Sequence, residues 1–107
     1  MRPVVLGDLV ALAQVLRGGP PDNWTETLHS MIRRAAIAED WCLRTSRRHP
    51  EWGCGSLYDV AAPAGCTLSD ADTTDPVFLR ALAAACHVVA EREEANTSIG
   101  YHDPHIV

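Results

Sequence analysis

A thiol and an imidazole five residues apart, Cys54 and His49, are the groups of this chain most easily imagined doing chemistry together. A cysteine attacks only as its thiolate, which needs a neighbouring base or positive field to form. Spacing alone does not bring the two side chains into contact, and no third orienting residue, nucleophile elbow or oxyanion signature accompanies them. A Cys54–His49 enzyme is therefore the remote alternative, and the expectation is a non-enzymatic protein. Metal binding has equally little support. Structural zinc sites favour paired C-x2-C or H-x3-H spacings, whereas Cys42, Cys54, Cys66 and Cys86 stand far apart. Tyr101-His102-Asp103-Pro104-His105 gathers two imidazoles and a carboxylate, which reads as an exposed tail with adventitious affinity for divalent ions. His87, four residues before Glu91, reads as one half of a surface pair. Gly18-Gly19 lacks the G-x-x-x-x-G-K-[ST] frame of a phosphate loop, so no cofactor is expected.

Recognition has more to work with. Arg33, Arg34, Arg44, Arg47 and Arg48 precede a stretch, His49 to Thr74, that contains no basic residue and carries Glu51, Asp59, Asp70 and Asp72. Arg44, Arg47, Arg48, His49 and Trp52 make a candidate binding surface for a protein or a small anion. Arg34 joins them from inside an apolar arc, between Met31 and Trp41. Its stem packs on Trp41 with the guanidinium reaching water, or it anchors an interface. Internal neutralisation is the plain meaning of the charge asymmetry. A DNA or RNA partner on the Arg33–Arg48 face is the competing class, disfavoured by a formal net charge of −5.

These residues must be positioned by helices. Leu9, Leu12, Ala13 and Leu16 recur at helical spacing, Asp8 can cap them, and Gly18-Gly19-Pro20-Pro21 stops the run, predicting a helix over about 8–17. Asn23 and Glu26 form an approximate capping box for a second helix over about 23–48, ended by Pro50. At 1.5 Å per residue it is roughly 39 Å long, against about 34 Å for a domain of this size, so it breaks or projects. Trp24, Leu28, Met31, Ala35, Ala38 and Cys42 line one stripe, widened by Ile37 and Trp41, an arc broad enough for two neighbours. Asp75-Pro76 opens a third helix over about 76–95, apolar nearly all round and hence expected at the centre. Glu91, Glu93 and Glu94 carry the wrong sign for its C-terminal dipole, so a basic neighbour is expected or that end frays, the arginine-rich end of the second helix, in the same chain or a second copy, being the obvious choice. A short helix lies near 56–62.

The connecting string Arg44-Thr45-Ser46-Arg47-Arg48-His49-Pro50-Glu51-Trp52-Gly53-Cys54-Gly55-Ser56-Leu57 explains itself structurally. Trp52 folds the loop onto the core, Gly53 and Gly55 permit tight turns, and Ser56 with Asp59 caps the next helix. It also resembles the R-T-x-R-x-H-P-x-W-G-x-G-S-L signature of a small uncharacterised family of short alphaproteobacterial proteins, which tend to begin with a helix like Gly7-Asp8-Leu9-Val10-Ala11. The likeness spans most of the chain and implies no activity.

Composition bounds the rest. At 107 residues, 47% hydrophobic and 6% aromatic, the chain is expected to be one helical domain over 1–107 with its own core. Its basic residues are all Arg, which with the abundant Ala reads as coding bias rather than a binding specialisation. No run approaches the roughly 20 apolar residues of a membrane span, and Gly7-Asp8 interrupts the signal-like start, so a reduced, cytoplasmic protein is expected. The prediction is an all-α, compact antiparallel bundle of three main helices, serving as an interaction or adaptor module that pairs with itself as a homodimer or with another protein.

Overall fold

In a computed structural model the chain is an all-α bundle, and the structure describes residues 1–64 and 71–100. Helix α1 spans Leu6–Arg17, α2 Trp24–Thr45, α3 Leu57–Ala61 and α4 Pro76–Gly100, with single 3-10 turns at Pro21–Asn23 and Ala62–Ala64. No strand is present among the described residues; one isolated antiparallel bridge joins His49 and Gly53.

The first helix begins two residues before the expected start because Asp8 acts from inside its first turn. Its Oδ2 accepts from Val5 N at 3.0 Å, and its Oδ1 accepts from Tyr58 N, also at 3.0 Å. One buried carboxylate thus satisfies backbone donors at the starts of both α1 and α3, which is how a charged group is accommodated in a small core. The other end of α1 is closed from α2, where the Trp24 indole Nε1 donates to Leu16 O at 2.7 Å.

The Asn23–Glu26 capping box does not form. Asn23 lies in the right-handed helical region (φ −100°, ψ 0°) as the end of the Pro21–Asn23 turn, and an N-cap side chain reaches its helix from the extended region. The helix that follows is continuous but closes at Thr45, three residues short of the expected 48 and well before Pro50. Ser46 takes the left-handed conformation (φ 57°), and Thr45 Oγ1 turns back to Trp41 O at 2.7 Å while accepting from Arg47 N. At the shorter length α2 is about 33 Å. The projecting helix is α4 instead: among the residues whose burial is described, the last buried one is Val89, and Ala90, Glu91 and Glu93–Asn96 are exposed.

One apolar cluster draws on all four helices: Ala11, Leu12, Ala13 and Leu16 of α1, Leu28, Met31, Ile32 and Ala35 of α2, Leu57, Val60 and Ala61 of α3, and Phe78, Ala81, Ala85, Val88 and Val89 of α4. Helix α1 packs most extensively on α4 and α3, and α2 least on α1. The central element is therefore α1, correcting the expectation for the last helix. Alanines at 11, 13, 81 and 85 are fully enclosed, while Val77 and Leu79 of α4 face outward. Asp75 caps α4 as its sequence foretells, accepting from Val77 N at 3.0 Å and pairing with Arg17.

No described helix is long and apolar enough to cross a membrane.

Candidate functional site

The end of α2 and the loop from Ser46 to Ser56 gather most of the residues singled out in the sequence. Gly53 (φ +76°) and Gly55 (φ +110°) both hold backbone conformations that side chains resist. A Cβ at Gly53 would lie 2.5 Å from Asp59 Oδ2, and one at Gly55 would lie 2.7 Å from Glu39 Cβ. These contacts let the loop return against α2 and α3. His49 and Gly53 then exchange backbone hydrogen bonds of 2.9 and 3.3 Å, and Ser56 Oγ accepts from Asp59 N at 3.0 Å as the N-cap of α3.

His49 is the hinge pin of this loop. Its Nδ1 accepts from Glu51 N and Trp52 N, each at 3.1 Å, so the ring carries its proton on Nε2. The imidazole stacks on Trp52 (centroids 4.8 Å apart, planes 2° apart) and meets Trp41 edge-on at 5.5 Å. The Arg34 guanidinium lies 5.8 Å from the Trp52 ring centroid, a cation–π arrangement. Arg34 therefore rests on Trp52 rather than Trp41, because the loop brings the second indole back alongside α2. Trp52 packs against the core beneath, as expected of an anchor.

Four candidates, Arg34, Trp41, His49 and Trp52, thus form one platform. The other arginines fan out around it. Arg44 pairs with Asp40 at 2.8 Å one turn earlier on α2, Arg48 pairs with Asp59 at 3.1 Å, and Arg47 is exposed. The Arg48–Asp59 bridge neutralises one carboxylate of the acidic stretch. The acidic end of α4 is not answered by these arginines among the described residues; Glu91 pairs with His87 at 2.9 Å on its own helix, the surface pair expected of them.

Cys54 does not meet His49. Its Sγ lies 3.2 Å from Cys42 Sγ, with Cys42 as donor, while Nδ1 of His49 is occupied by backbone. The hydrogen bond to Cys54, joined by burial and by the adjacent sulfur, holds the Cys42 thiol above its ordinary pKa. That thiol pair went unseen in the sequence because Cys42 reads as one more small residue of the apolar stripe. No group of three or more possible metal ligands occurs among the described residues; the His102, Asp103 and His105 tail and Cys66 lie outside them.

Two sequence signals mark the missed contacts in retrospect. Asp8 is a lone carboxylate in an otherwise apolar run, and Cys54 sits between two glycines, the pattern of a close backbone approach.

No curated protein and no solved structure matches the chain. A family model described as a domain of unknown function, DUF7742, matches residues 2–89, ending at the buried Val89 of α4. The chain belongs to the DUF7742 family.

Proposed function

We propose that the chain is a non-enzymatic helical interaction module that pairs with a second copy of itself through the outward face of α2 and the adjoining platform. The carrying observation is the exposure of Ile37 (46%) and Trp41 (39%), one turn apart on the face of α2 opposite the core. Single exposed apolar residues are ordinary, but grouped at one end of one helix they mark a surface that gains from being covered.

The order of residues along this face favours a second copy over an unrelated partner. If two α2 helices cross antiparallel with the two-fold axis at Ile37, Arg34 of each chain faces Asp40 of the other, sharing that carboxylate with Arg44, and Arg33 faces Trp41. All five side chains are exposed. Arg33 makes no ion pair or hydrogen bond within the described residues, so it is free for that role. One helix face covers less than the roughly 800 Å² per partner of a stable interface, so the association is weak, on the order of micromolar.

Sedimentation velocity over a wide concentration range tests this reading. The expected result is a reversible dimer that Ile37→Glu weakens by about tenfold or more, because a carboxylate is placed on the axis facing its own copy. A wild-type chain that stays monomeric throughout overturns it. The nucleic-acid alternative has less behind it, since Arg44 and Arg48 are already paired with carboxylates. Gel-shift binding that weakens steeply between low and high salt would restore it.

A further inference from the structure

We infer that Cys42 and Cys54 form a redox-active dithiol that closes to an intramolecular disulfide by exchange with a small-molecule disulfide. The two sulfurs stand 3.2 Å apart, so reaching the bonded length of about 2.05 Å needs only about 1 Å of approach. Each is delivered by a constrained element: Cys42 by the last turns of α2, and Cys54 by a loop fixed between two positive-φ glycines and the His49–Gly53 bridge. Both cysteines are half-buried rather than sealed, which leaves a small reagent access. Arg2 and Arg48 lend positive charge that favours a thiolate at Cys42, against the burial and the neighbouring sulfur that oppose it. This inference is independent of the self-association proposed above.

The exchange balances as follows. Cys54 gives up its proton and its thiolate attacks one sulfur of the external disulfide; a Cys54–S bond forms, the external S–S bond breaks, and the departing sulfur takes up a proton and leaves as one thiol. Cys42 then gives up its proton and attacks Cys54 Sγ, expelling the second thiol. Two cysteines are oxidised and one external disulfide is reduced to two thiols. The product ties the loop bearing His49 and Trp52 to the helix bearing Arg34 and Trp41, so oxidation locks the platform in its assembled form.

Oxidised glutathione is the probe. The chain is incubated with it at about millimolar concentration, acid-quenched, alkylated and cut after arginine. The expected product links the peptide 35–44 to the peptide 49–80 and exceeds any Cys42 or Cys54 glutathione adduct by about tenfold or more, because a tethered thiol at short range presents a very high effective concentration. Since 49–80 also holds Cys66, the variants decide the pairing: the link persists in Cys66→Ser and disappears in Cys54→Ser. Dithiothreitol restores both free thiols. Recovery of Cys42 as the free thiol or as a stable glutathione adduct in the wild-type chain overturns the inference, as does a link that survives Cys54→Ser.

Discussion

Around α1 and α4 the chain is held by small and aliphatic side chains, Ala11, Leu12, Ala13, Leu16, Ala81 and Ala85, that offer shape and nothing else. Between Ser46 and Ser56 almost no aliphatic side chain takes part, and the backbone is fixed by a histidine ring nitrogen, two glycines with positive φ, a serine cap and an arginine–aspartate bridge. The first region is tolerant of detail and costly to hollow out. The second depends on a few atoms being where they are, and it holds the aromatic platform and the thiol pair. Packing built from many weak contacts spreads its energy, whereas a loop built from few directional ones concentrates it at the positions that cannot change.

Substitutions can break that contrast. Leu12→Ala removes a fully buried side chain from the most enclosed helix and should cost about 3–4 kcal/mol, read as a fall in the urea midpoint, because the surrounding helices relax only partly into the cavity. A loss under about 1 kcal/mol would mean that α1 is not the centre of the core. Gly55→Ala should cost about 2 kcal/mol, from the unfavourable φ together with the overlap on Glu39. It should also slow the linking of Cys42 to Cys54, since the loop can no longer return fully against α2. A Gly55→Ala chain as stable and as readily cross-linked as the parent would remove the distinction between the two regions.

The smallest effect is expected in acid, at the junction of α1 and α4. Arg17 beside Asp75 holds that carboxyl below its ordinary value of 3.8, and the hydrogen bonds from Thr74 do the same for Asp72. A carboxylate with a depressed folded-state pKa contributes stability that is complete above the unfolded value and is lost as the pH falls through the folded one. The urea midpoint should therefore decline as the pH drops below about 4, and Asp75→Asn should flatten that decline. An identical acid slope in the variant would show that the Arg17–Asp75 pair contributes nothing measurable.

Much of this was legible in the residues. The Asp75-Pro76 start and the Ser56–Asp59 cap are local devices, complete within a few residues, and each appears where its chemistry requires; the Gly-Gly-Pro-Pro stop falls in the expected place, but Gly18 closes α1 in the right-handed conformation (φ −76°) instead of the left-handed one expected of a glycine cap. Two expectations failed locally, the Asn23–Glu26 capping box and the end of α2 at 48 instead of Thr45; the others that were misplaced depended on partners distant in the chain. Asp8 resembles an N-cap until Tyr58, 50 residues away, supplies its second donor. Arg34 fits a stem lying on Trp41 until the loop carries Trp52 beside it. The last helix has the apolar circumference of a central element, yet α1 occupies the centre because it offers the smaller, more completely buried surface to both α3 and α4.

The sequence by itself determined that the chain is helical, where most of its helices start and stop, and that an arginine-rich helix end leads into a glycine-hinged loop. Those features follow from periodicity, capping and backbone permission, all of which act over one or two turns. Only the tertiary structure decided that Cys42 meets Cys54 rather than Cys54 meeting His49, and that His49 joins two tryptophans and an arginine into one surface. Side chains far apart in the chain are brought together by the path of the backbone through Gly53 and Gly55, and a local pattern carries no information about where that path ends.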